Sequence, residues 1–68
     1  MTRTQFIVAM AAHIAWKGRL KAGQALGIAA IAYRAFEADC RVAFGDPGYA
    51  WDADAARTIA EEYEVACW

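Results

Sequence analysis

The chain of 68 residues contains no serine, one histidine, one proline and two cysteines. Without serine there is no serine nucleophile, and the threonines are the aliphatic hydroxyls that remain. His13, the one histidine, has Ala9, Met10, Trp16 and Lys17 at helical spacing and no carboxylate among them to orient its ring. It is therefore expected to be structural. Cys40 and Cys67 have neither the spacing of a zinc site nor the number of a disulfide framework. Reduced, partly buried thiols are expected, with a single bridge as the alternative, which suits a cytoplasmic protein. The turn sequence Gly45-Asp46-Pro47-Gly48 lacks the Gly-Lys-Ser/Thr of a phosphate loop. Glu61, Glu62 and Glu64 have no second histidine beside them and read as solvated acids rather than a metal cluster. These absences predict a non-enzymatic protein with no cofactor and no metal.

Acidic residues are missing from the entire first half. Residues 1–34 hold Arg3, Lys17, Arg19, Lys21 and Arg34 and no acid, whereas residues 35–68 hold eight acids against Arg41 and Arg57. Such an asymmetric chain can pair half to half, within a copy or between copies. Long hydrophobic runs are missing too. The longest, Phe6–Trp16, is 11 residues and interrupted by His13, too short to span a bilayer. A single basic residue ahead of it makes a poor signal peptide. A membrane is therefore not an expected partner.

What the chain does have is alanine. Hydrophobic residues make up 60% of it, yet 18 residues are alanine and two are leucine. Alanine favours helix and contributes little buried area, so close-packed thin helices are expected. Thr2 and Gln5 form a capping-box pair at the start of a first helix from Arg3 to between Lys17 and Lys21, ended by a left-handed Gly18 or Gly23. A second helix is predicted over Gln24–Phe44, stopped by the Gly-Asp-Pro-Gly turn. A third, over Ala53–Cys67, is capped by Asp52.

Apolar stripes run along both sides of the long helices. Helix one has Phe6, Ile7, Met10 and Ile14 on one side and Val8, Ala12, Trp16 and Leu20 on another. Helix two has Leu26, Ala29, Tyr33, Phe36, Cys40 and Phe44 against Ile28, Ile31, Ala35 and Val42. A helix apolar on two sides needs covering on both. The fold class expected is all-α: an antiparallel hairpin of two long helices plus a shorter acidic C-terminal helix, completed by dimerisation through Ile28, Ile31 and Val42. Gly23 and Gly27, beside Ala25 and Ala29, are expected to let helix backbones approach closely.

The segment Ala22–Arg34 resembles the helix-turn-helix of DNA-binding regulators. Gly23 stands at the small-residue position, Leu26-Gly27-Ile28 at the turn and Tyr33 at the apolar position that follows. The resemblance implies a recognition helix from Ala29, with Lys17, Arg19, Lys21 and Arg34 on phosphates. The chain departs from the family where serine or threonine should cap that helix, at Ala29. Its groove-facing positions Ala29, Ala30 and Ile31 offer no donor or acceptor to a base edge. DNA binding is accordingly the alternative. The leading expectation is a small helical protein that binds another protein and inhibits or modulates it, in the manner of phage and mobile-element accessory proteins. The candidate contact residues are Trp16, Lys17, Arg19 and Lys21 at the end of helix one, Tyr49 and Trp51 in the connection, and Trp68 at the C-terminus.

Overall fold

A computed structural model describes residues 1–63, which form three helices: α1 (Arg3–Gly18), α2 (Ala22–Cys40) and α3 (Ala53–Tyr63). The Thr2 hydroxyl accepts from the Gln5 amide N–H at 3.1 Å while the Gln5 side chain accepts from Thr2 N–H at 2.8 Å, so the predicted capping box opens α1. Asp52 Oδ1 accepts from Ala55 N–H at 2.8 Å and opens α3, as its sequence position implied. The expected extension of α3 to Cys67 lies outside the described residues.

The helix ends differ from expectation in an instructive way. Arginine, not glycine, takes the left-handed conformation at both: Arg19 (φ 53) after α1 and Arg41 (φ 54) after α2. In each case the next residue is apolar and its N–H closes the terminus. Leu20 donates to Ala15 O at 3.0 Å and Val42 donates to Glu37 O at 3.3 Å. Both side chains then lean on the core. The burial of Leu20 and Val42 holds a backbone that arginine adopts only at a cost. This is also why α2 stops at Cys40 rather than reaching Phe44: the turn at Arg41 aims Val42 and Phe44 inward.

Every helix contacts the other two. Phe6, Met10 and Ile14 of α1, Tyr33 and Phe36 of α2, and Ile59 of α3 are buried among the alanines Ala11, Ala25, Ala29, Ala32, Ala56 and Ala60. The α1 face read from the sequence is thus correct, with Ile7 half-buried at its edge. On α2 the buried side is rotated towards Ala25 and Ala32, which leaves Leu26 exposed and Cys40 exposed at the helix end. The second α2 stripe divides: Ile28 and Val42 lean on the core, and Ile31 is 58% exposed. Gly23 and Gly27 have open space where a Cβ would stand, so neither serves the close approach expected of it; Ala25 and Ala29 do that alone.

The connection Arg41–Asp52 is built around Asp46. Its carboxylate accepts from Ala43 N–H at 3.2 Å, and its carbonyl accepts from Tyr49 N–H at 3.2 Å and Trp51 Nε1 at 3.0 Å. This places the Trp51 ring 5.2 Å from Phe6, edge to face, and 4.8 Å from Phe44. The connection therefore closes the core with an aromatic lid. No described helix is long and apolar enough to cross a membrane.

Candidate docking face

The side of α1 turned away from the core carries Val8, Ala12 and Trp16, successive residues four apart and hence stacked in one row. Val8 is 50% and Trp16 77% exposed. Two hollows flank this row and share Ala12. One, of about 250 Å³, lies between α1 and α2 and is lined by Val8, Ala11, Ala12, Ala15, Ala22 and Leu26, all apolar. The other, of about 470 Å³, lies between α1 and α3 and is lined by Ala9, Ala12, His13, Trp16, Ala53 and Arg57. The short alanine side chains make the hollows: they bring helices together yet fill little of the space at the rim.

His13 sits at the inner edge of the second hollow. Its Nε2 is 2.8 Å from Glu61 Oε1, and Lys17 Nζ donates to Glu61 Oε2 at 2.5 Å. No carboxylate lies within helical reach of His13, as expected, yet one orients its ring. The partner arrives from α3, beyond the reach of spacing along one helix. Glu61 is likewise a tie between α3 and α1 rather than a freely solvated acid. Hydrogen bonds from Lys17 first and His13 second hold its carboxyl below the ordinary carboxylate value. The His13 ring also lies 6.0 Å from the Trp16 indole, and both line the hollow. Arg57 is paired with Asp54 one turn before it on α3.

The remaining sequence candidates separate by place. Arg19 and Lys21 are exposed in the connection between α1 and α2, beside Ala22 at one end of the smaller hollow. Neither has an acidic partner among the described residues. Tyr49 is partly exposed, edge to face with Phe36 at 5.9 Å, and lines a separate hollow with Cys40, Ala55 and Ile59. Trp51 is half-buried as the lid described above. Trp68 lies outside the described residues, as do Cys67 and any bridge to Cys40. Val8, Ala12 and Leu26, which line the smaller hollow, were absent from the sequence candidates as contact residues. Their signal was the second apolar side of helix one, already visible as Val8, Ala12, Trp16 and Leu20.

Two other clusters hold polar chemistry. The Tyr63 hydroxyl donates to Asp39 Oδ2 at 2.6 Å with Cys40 Sγ 3.7 Å away. The Asp39 carboxylate and then the Cys40 thiol raise the phenol well above its ordinary value. Arg3 Nη2 reaches Glu37 Oε1 at 3.5 Å, and its guanidinium lies 4.9 Å over the Tyr33 ring. Burial first, and the Glu37 charge second, raise the Tyr33 phenol. Both clusters join one helix to another. Among the described residues, no three of His, Cys, Asp and Glu converge as a metal site would require. Leu26-Gly27-Ile28, where the helix-turn-helix resemblance implied a turn, lies inside the uninterrupted α2. The motif therefore has the letters of that turn without its geometry.

What the fold and face define is a small helical protein whose described residues form three helices and carry an exposed apolar row on α1. No family model, curated protein or solved structure is detectably similar to this chain.

Proposed function

We propose that this is a non-enzymatic protein-binding module, one that inhibits or modulates another protein by docking through the outer face of α1 and the hollow beside α2. On this reading α1 and α2, joined by three residues, act as an antiparallel hairpin braced by α3. The observation that carries it is Trp16. An indole 77% exposed, in one row with Val8 and lining the hollow between α1 and α3, is surface of the kind that marks interaction sites. Tryptophan in such a setting is the residue type most often dominant in binding energy.

The test is site-specific photocrosslinking. A benzophenone side chain at Ala12, introduced into the chain in its native cells, is expected to give a discrete adduct that disappears in the Leu26→Asp background. The same probe at Ala50, which lines a separate hollow with Phe36, Tyr49 and Ile59, is expected to give none. Equal crosslinking from both positions, or none from Ala12, overturns the proposal. Trp16→Ala separates binding from folding: with so little of the ring buried, its melting temperature is expected to stay within about 3 °C of the parent, in line with surface substitutions, while the adduct is lost.

A further inference from the structure

We propose that the occupant of this face is an acidic amphipathic helix, whose apolar side chain enters the hollow between α1 and α2 and whose carboxylates meet Arg19 and Lys21. The proposal rests on the docking reading above and adds the chemistry of the partner.

Charge complementarity decides among occupants. The smaller hollow is lined wholly from residues 8–26, inside the stretch that contains no acid. At its Ala15–Ala22 end the connection presents two cations, Arg19 and Lys21, with no acidic partner among the described residues. The left-handed backbone at Arg19 is fixed by the closure of Leu20 N–H on Ala15 O at 3.0 Å, so the residue stands on a built turn between Ala15 and Ala22, both of which line the hollow. A second copy offering the same hollow would bring residues 8–26 of both chains together and supply no acid to Arg19 and Lys21, leaving both cations unpaired. A lipid surface would satisfy the cations, but it is flat on this scale and offers nothing to a recess of about 250 Å³. A helix supplies both needs: a large side chain every third or fourth residue for the recess, and acids on the adjoining positions for the rim.

The experiment is unbiased selection. A yeast-displayed library of random 16-residue peptides is sorted against the full chain at low salt. The expected winners carry apolar residues at i, i+3 or i+4 and are enriched in Asp and Glu. Their affinity is expected to fall about tenfold in Arg19→Glu/Lys21→Glu, several-fold between about 50 and 500 mM NaCl, and beyond detection in Leu26→Asp. Trp16→Ala serves as a second disruptive variant should Leu26→Asp lose its helical circular dichroism. Neutral or basic winners that still require Leu26 overturn the acidic partner and leave the docking face standing. Winners indifferent to Leu26 and Trp16, or no winners, overturn both. Two controls use the chain alone. Sedimentation with vesicles containing phosphatidylglycerol, abolished by Leu26→Asp, assigns the face to membranes and overturns the proposal. A dimer in analytical ultracentrifugation, dissolved by the same substitution, assigns it to a second copy and overturns it equally.

Discussion

Arg19 and Arg41 occupy a backbone region in which an L-residue with a Cβ costs roughly 1–2 kcal/mol. Glycine removes the strain but loses more entropy on folding. The balance is expected to favour Arg41→Gly by about 0.5–1 kcal/mol, read as a rise of several degrees in melting temperature. Arg19→Gly is expected to gain similarly while weakening the acidic peptides selected above, a split that ties stability and binding to different atoms of one residue. Gly27 is the converse case. It lies in mid-helix with open space around the missing Cβ, so Gly27→Ala is expected to stabilise by up to about 1 kcal/mol, measured by urea unfolding. No change or a loss there would mean that Gly27 is held for a purpose other than helix stability.

At the scale of elements, the tie between α1 and α3 at Glu61 sets a pH dependence. The folded-state pKa of Glu61 lies below its ordinary value of 4.5. Its contribution is therefore fully present above that value and is lost as pH falls through the lower folded value. The difference in urea midpoint between the parent and Glu61→Gln is expected to shrink below about pH 4.5. A difference that persists undiminished as the pH is taken well below that value would contradict the assignment. The connection is the other element whose loss should be felt. Trp51→Ala removes the lid over Phe6 and Phe44 and is expected to cost about 3 kcal/mol; Asp46→Ala, which loosens the turn that carries it, about 1 kcal/mol. These two features also mark where the sequence was legible. The starts of α1 and α3 were plain because their caps are local: Thr2 with Gln5, and Asp52. The start of α2, at Ala22 rather than Gln24, was not, since Lys21 supplies no side-chain cap; nor was its end, where an arginine is made tolerable by Val42 landing on the core, a tertiary fact. His13 and Glu61 are 48 positions apart, so no spacing rule along one helix could join them.

For the whole molecule, dimensions are informative. The radius of gyration is 10.8 Å, against about 10.9 Å for a single compact domain of this length. The accessible surface is 4347 Å², against about 4200 Å² for a folded monomer of this mass. One chain thus reaches monomer compactness with its own three helices, even though alanine supplies half of the core positions. A stability of only about 3–10 kcal/mol is expected for this length, so the loss of Trp51 should remove a large share of it. The two-sided apolar pattern of helix one correctly signalled surplus surface. In helix two Ile31 is exposed while Ile28 and Val42 lean on the core, and Leu26, which the pattern put on the core side, is turned outward.

The contrast between Trp16 and Trp51 has a spectroscopic consequence. Trp16 emits from water, and Trp51 emits from among Phe6, Phe36 and Phe44 with its N–H already bonded to Asp46 O. With Trp68 replaced by phenylalanine, red-shifted emission reports the docking face and blue-shifted emission reports the core. A bound acidic helix should move the first and leave the second, whereas urea should move the second and leave the first. Binding and unfolding can therefore be followed in one cuvette as two separate colours.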